Sequence, residues 1–77
     1  MKIKVYSTSQ CPYCVSAKDF LRNNKIKFEE IDVGKDHKAA MEMIKISGQT
    51  GVPVIDINGK IIIGFDEEEL KTALNIK

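Results

Sequence analysis

The chain predicts an α/β domain, one mixed four-stranded sheet with three flanking helices in the order β-α-β-α-β-β-α. Three observations carry that expectation. Short runs with an apolar period of two alternate with segments whose apolar residues recur every three and four positions. A first strand, helix and second strand follow one another as a parallel pair with a right-handed crossover would. Asn58-Gly59 separates two β-branched runs, the strongest short-range signal for a tight hairpin.

Residues 2–6 put Ile3 and Val5 on one side and Lys2 and Lys4 on the other, so the first strand should be half exposed and end near Ser7. The polar residues Thr8, Ser9 and Gln10 make a loop, and Pro12 suits a first helical position, where its missing N–H has no intrahelical partner to lose. The first helix should cover residues 12–23. Cys14, Ala17 and Leu21, with Phe20 beside them, form its buried face; Lys18, Asp19 and Arg22 point outward, and Asn23-Asn24 stops it.

The second strand spans residues 26–33, but Ile26 and Phe28 are out of phase with Ile31 and Val33. Either a bulge lies near Glu29 or the two ends are buried on different faces. Asp36 is a suitable N-cap for a second helix whose inner face is Ala40, Met43, Ile44 and Ser47, and Gly48 closes it. Residues 52–57 and 60–63 are the hairpin strands. Asp66 caps a last helix running to about Leu74, with Glu67, Glu68 and Glu69 where the dipole favours carboxylates and Leu70, Ala73 and Leu74 facing inward.

Seventy-seven residues, 43% hydrophobic and 30% charged, suit a single domain over residues 1–77. A chain this short buries only about 60% of its unfolded surface, and its two cysteines allow at most one bridge. A net charge of +1 supplies no bulk attraction for nucleic acid or an anionic membrane. No apolar run approaches a membrane span, and the N-terminus alternates charge where a signal peptide needs a continuous apolar stretch. These features lead us to expect a cytoplasmic monomer that binds neither nucleic acid nor membrane.

Cys11-Pro12-Tyr13-Cys14 carries the chemistry. The first cysteine ends a loop and the second lies in the first helical turn, a spacing that lets the sulfurs bridge without dragging the chain. Unpaired helix N–H groups next to Cys11 favour its thiolate, making it the candidate nucleophile. It would attack a substrate disulfide, and the more buried Cys14 would then displace the product and close a Cys11–Cys14 bridge. Pro12 stiffens the turn, and Tyr13 offers an exposed aromatic rim and a hydroxyl for a bound peptide.

Other readings of the motif are weaker. Zinc needs four ligands, and the remaining soft ligand, His37, is far along the chain. A four-residue loop is too short for a stabilising disulfide to matter much. A cluster shared by two chains through Cys11 is a third reading. His37 reads as a surface histidine and Met41 and Met43 as surface and core filler. Gly48-Gln49-Thr50-Gly51 lacks the Gly-Lys-Ser/Thr ending of a phosphate loop. No metal site and no tightly bound cofactor is expected.

With the site and element order in hand, the chain resembles a glutaredoxin over essentially its whole length. The Cys-Pro-Tyr-Cys at 11–14 is the family's usual active site. Gly51-Val52-Pro53 is similar to the family's Thr-Val-Pro, which implies a cis Pro53 facing the sulfurs and a Val52 backbone that pairs with bound peptide. Gly64-Phe65-Asp66-Glu67 stands where the family's Gly-Gly-Cys-Asp-Asp receives the γ-glutamyl end of glutathione. The resemblance implies a thioredoxin-like fold and a dithiol oxidoreductase acting on protein disulfides or glutathione mixed disulfides, with glutathione as co-substrate.

The departures are specific. Thr8 stands three residues before Cys11, where the family usually has the Lys or Arg that binds the glycine carboxylate of glutathione. Ile63 replaces the first glycine of the pair and Phe65 the cysteine, making the pocket floor bulkier. Gly64-Phe65, with the tract at 47–55, is similar to short bacterial glutaredoxin-like proteins of the NrdH-redoxin and YruB type. That implies an alternative in which thioredoxin reductase or another flavoprotein reduces the protein, which then serves ribonucleotide reductase or a peroxidase. An iron-sulfur carrier is a lesser alternative.

Overall fold

Burial decides where each strand sits. In this computed structural model, which describes residues 2–76, β1 (Ile3–Ser7) is central, and the sheet order is β2-β1-β3-β4. β1 runs parallel to β2 (Glu29–Asp32) and antiparallel to β3 (Val54–Ile57), which pairs antiparallel with β4 (Lys60–Ile63). Helices α1 (Pro12–Asn23), α2 (His37–Ser47) and α3 (Glu67–Leu74) complete the expected order.

Alternation along the strands builds two cores. Ile3, Val5, Ile55, Ile57 and Ile62 meet Ala17 and Leu21 of α1 and Leu70 of α3 on one face. Tyr6 and Val54 meet Met43 of α2 on the other. The second core corrects the expectation of a half-exposed β1: Tyr6 is buried because α2 covers its face, its hydroxyl donates to Glu42 Oε1 at 3.3 Å, and Ser7, which points to the opposite face, is buried as well. Within α2, Met43 is buried on the expected inner face, Ala40, Ile44 and Ser47 are half-buried, and Ile46 also packs against this core.

β4 lies at the expected residues, whereas β2 and β3 are shorter than expected for physical reasons. The Ile26 N–H donates to Leu21 O at 2.9 Å, finishing the end of α1, and pairing with β1 begins only at Glu29. The register from Lys4↔Glu29 to Ser7↔Asp32 is continuous, so there is no bulge there. Ile26 and Phe28 pack in the first core and Ile31 and Val33 in the second: the phase change is burial on opposite faces. β3 starts at Val54, two residues later than expected, since Pro53 has no N–H to give a ladder.

Local signals set the ends. Asp36 Oδ1 accepts from Ala39 N at 3.1 Å and Asp66 Oδ1 from Glu69 N at 3.1 Å, each capping its helix. Asn58 (φ 52°) and Gly59 (φ 101°) take the positive φ values of a type I′ turn. None of the described helices is long and apolar enough to cross a membrane.

Candidate active site

Cys11 is the N-cap of α1. Its backbone is extended (φ −105°, ψ 109°), Pro12 follows at the first turn, and the Cys11 sulfur accepts the Cys14 N–H at 3.2 Å. A sulfur thus takes the role that a serine or aspartate oxygen usually fills, with an otherwise orphaned helix donor aimed at it. The Cys11 thiol in turn donates toward Val52 O, 3.7 Å away, across 41 residues of sequence.

The cysteines, both free thiols, differ in access. Cys11 is partly open to solvent, whereas Cys14 is 0% exposed. Burial, followed by the hydrogen bond to Cys11, pushes the Cys14 thiol up to about 11; the Thr8 backbone and the Lys18 charge pull the other way. One sulfur can meet a substrate and the other is held in reserve as a neutral thiol.

A cleft of about 550 Å³ opens beside this pair. Tyr13, 67% exposed, forms its rim, and Val52 and the buried Pro53 form a ledge. The Val52–Pro53 peptide bond is cis, as the resemblance implied. Gly64 N donates to Pro53 O at 2.8 Å, tying the ledge to the β4–α3 turn, where Gly64 holds φ 80°. Phe65 lines the cleft and meets Phe20 edge-on with centroids 6.1 Å apart. Ile63, 53% exposed, supplies further apolar surface, and Asp66, Glu67 and Glu68 form an acidic wall.

Seven of the candidate binding residues therefore share this cleft: Tyr13, Val52, Pro53, Gly64, Phe65, Asp66 and Glu67. Thr8 and Gly51 lie outside it. Thr8 lines a second cleft of about 440 Å³ with Ser9, Gln10, Asp32, Gly34 and Lys35. Gly51 is clamped by Gln49, whose Oε1 accepts the Gly51 N–H at 2.6 Å and whose Nε2 donates to its carbonyl at 3.0 Å. Gly51 supports the loop before the ledge, and a Cβ there would lie 2.8 Å from Gln49 Oε1.

Lys18 is a correction. It was expected on the solvated face of α1, yet its side chain is 14% exposed and its Nζ meets Glu30 Oε1 at 2.6 Å. Neither Lys35 nor Glu68 is a site residue on the sequence reading, which gives Glu68 only a place in the first turn of the last helix. A signal for Lys35 existed: β1 and β2 are parallel, so the loops leaving their C-terminal ends emerge on the same edge and bring Lys35 beside Thr8. Among the described residues, no group of three or more His, Cys, Asp or Glu side chains is placed to hold a metal ion.

Comparison with known proteins agrees with this geometry. The glutaredoxin family model matches residues 3–62. An uncharacterized glutaredoxin-like protein in the rubredoxin operon of Clostridium pasteurianum is 46% identical over 68 residues, covering 88% of this chain and 91% of that one. The crystal structure of a glutaredoxin from Archaeoglobus fulgidus superposes with a TM-score of 0.88 at 31% identity, covering 95% and 85% of the two chains. The glutaredoxin-like NrdH-redoxin of Escherichia coli gives 0.83 at 25% identity, covering 94% and 93%. A partly exposed capping cysteine, a buried partner one turn on and a cis-proline ledge occur here on a thioredoxin-like sheet, and the chain belongs to the glutaredoxin family.

Proposed function

We propose that the protein is a dithiol thiol-disulfide oxidoreductase that reduces protein disulfides or glutathione mixed disulfides through Cys11 and Cys14. The observation that carries this reading is the difference in access between the two thiols, one capping α1, partly open to solvent and facing Val52 of the cleft, and one fully buried. The Cys11 thiolate attacks a substrate sulfur, and the first substrate thiolate leaves with the electron pair of the broken S–S bond. Cys14 then displaces the second substrate sulfur from Cys11. Two electrons pass to the substrate, and the protein is left with a Cys11–Cys14 bridge.

Val52 supports the ledge role. Its carbonyl already faces the Cys11 sulfur, and no hydrogen bond among the described residues occupies its N–H. An extended peptide attached to Cys11 would pair with this backbone as an added strand. The carboxylates of Asp66 and Glu67 suit the ammonium end of glutathione. At the opposite end Thr8 offers no charge, and Lys35, which lines the Thr8 cleft, would supply the cation there. The Lys35→Ala protein is expected to raise KM for a glutathionylated peptide about two- to fivefold with kcat unchanged, the scale of an exposed ion pair. Steady-state kinetics checks this, and an unmoved KM removes Lys35 from the site.

A second reading is favoured by Ile63 and Phe65, whose apolar surface in the cleft suits a protein partner. In it the protein is an NrdH-like redoxin, reduced by thioredoxin reductase and donating to ribonucleotide reductase or a peroxidase. The test supplies NADPH with either glutathione and glutathione reductase or thioredoxin reductase, and follows NADPH oxidation with a disulfide substrate. Turnover with glutathione is the expected result. Turnover with thioredoxin reductase alone replaces it with the redoxin reading, and turnover with neither removes the oxidoreductase function. A purified dimer with visible absorbance and glutathione as a ligand would favour an iron-sulfur carrier instead. The proposed setting is a reducing cytoplasm, in which the protein acts as a monomer.

A further inference from the structure

Lys18 is sheltered without being part of the cleft. Its side chain is 14% exposed and its Nζ meets Glu30 Oε1 of β2 at 2.6 Å, while Glu30 remains 47% exposed and also approaches Arg22 Nη2 at 3.7 Å. The pair therefore joins a protected ammonium to a water-facing carboxylate. Lys18 lies one helical turn beyond Cys14, and residues four apart on a helix share a face with their Cβ atoms about 5–6 Å apart. Helical side chains lean toward the N-terminus, so the Lys18 stem runs back toward Cys14. Its charge favours the ionised form of that thiol.

The surroundings of Cys14 leave Lys18 a distinct part to play. Cys11, at the head of α1, hydrogen-bonds with Cys14, and this opposes ionisation, as does burial. The Thr8 backbone helps from the β1–α1 loop. From β2, Glu30 acts by holding Lys18, with Arg22 sharing its other oxygen. The core against α1 presents apolar groups: Val5 of β1, Ile55 of β3 and Leu70 of α3.

We propose that Lys18 is a positioning residue for bridge closure: held by Glu30 one turn beyond Cys14, its ammonium stabilises the Cys14 thiolate as that sulfur attacks the Cys11 mixed disulfide. The proposal rests on Cys14 being the resolving thiol. In this step Cys14 loses its proton and its electron pair forms the bond to Cys11 Sγ. The Cys11–substrate S–S bond breaks, and the substrate sulfur leaves with the bonding pair and takes up a proton. One disulfide is exchanged for another and no outside oxidant is needed. A sheltered ammonium acts here through a lower effective dielectric than water, which is why one charge can offset part of the cost of ionising a buried thiol.

The test has two arms. In Cys11→Ser protein, the Cys14 thiolate is titrated by its ultraviolet absorbance. In protein with both cysteines, a mixed disulfide with hydroxyethyl disulfide is formed and release of mercaptoethanol on closure is followed by stopped flow. Lys18→Met is expected to raise the Cys14 midpoint by about one pH unit and, since the more basic thiolate is also the better nucleophile, to slow closure about threefold at neutral pH. Lys18→Arg is expected to restore both. Glu30→Gln removes the carboxylate charge but keeps the ammonium and an amide oxygen that can still accept from Lys18 Nζ, so the midpoint should not rise. Lys18→Gln serves if the Met variant fails to fold. An unmoved midpoint without the ammonium, or an equal rise in Glu30→Gln, would overturn the proposal. Failure of the parent protein to form any mixed disulfide would remove the oxidoreductase reading itself, and the proposal with it.

Discussion

Cys11→Ser protein is expected to lose all reduction of protein disulfides and glutathione mixed disulfides, a fall of about a thousandfold or more. The partly exposed sulfur is the one that can reach a substrate, and it alone faces the Val52 ledge. Cys14→Ser should behave differently. Its buried side chain cannot start the reaction, so this variant keeps the single-thiol exchange with glutathionylated substrates and loses the reduction of protein disulfides that need a second sulfur. Assays of both variants on a glutathionylated peptide and on a protein disulfide check the assignment. An inert Cys14→Ser protein beside an active Cys11→Ser protein would reverse it.

Leu21→Ala should cost about 2–5 kcal/mol, the range for truncating a fully buried leucine. Leu21 is 0% exposed and sits between the sheet and α3, in the core with Val5, Ile55 and Leu70. At about 0.05–0.15 kcal/mol per residue, total stability is about 4–12 kcal/mol for a chain of this length. The loss is thus a large share of the total, and the variant should be substantially unfolded at moderate denaturant. Met41→Ala, at an exposed position on α2, should change stability by no more than about 0.5 kcal/mol. Denaturant midpoints at constant m-value measure both. A Leu21→Ala cost below about 1 kcal/mol would mean that the site relaxes to fill the space.

Much of the fold was legible because its signals are local. The helix over 12–23 has its start in Cys11-Pro12 and its stop in Asn23-Asn24, and the structure places α1 at those bounds. Asp36 and Asp66 cap as their positions indicated, and Asn58-Gly59 turns the hairpin. Each of these is settled within four residues by backbone donors and a side-chain acceptor. The extent of β2 and β3 was not legible in the same way. Where β2 begins to pair depends on the end of α1 drawing in Ile26, and which face buries Tyr6 depends on α2, and neither signal lies in the strand itself.

The site divides along the same line. Capping and helical spacing operate over single turns of chain, so the order of the elements, the sulfur at the head of α1 and the second thiol one turn inside it can be read from the residues alone. What faces those sulfurs follows from how the strands pair. The parallel pairing of β1 with β2 brings Lys35 beside Thr8 and Glu30 against Lys18, and the antiparallel β1–β3 ladder leads back to the Val52 carbonyl at Cys11. These residues are remote in sequence, and sheet order and register set their meeting, so no periodicity in the chain could announce it.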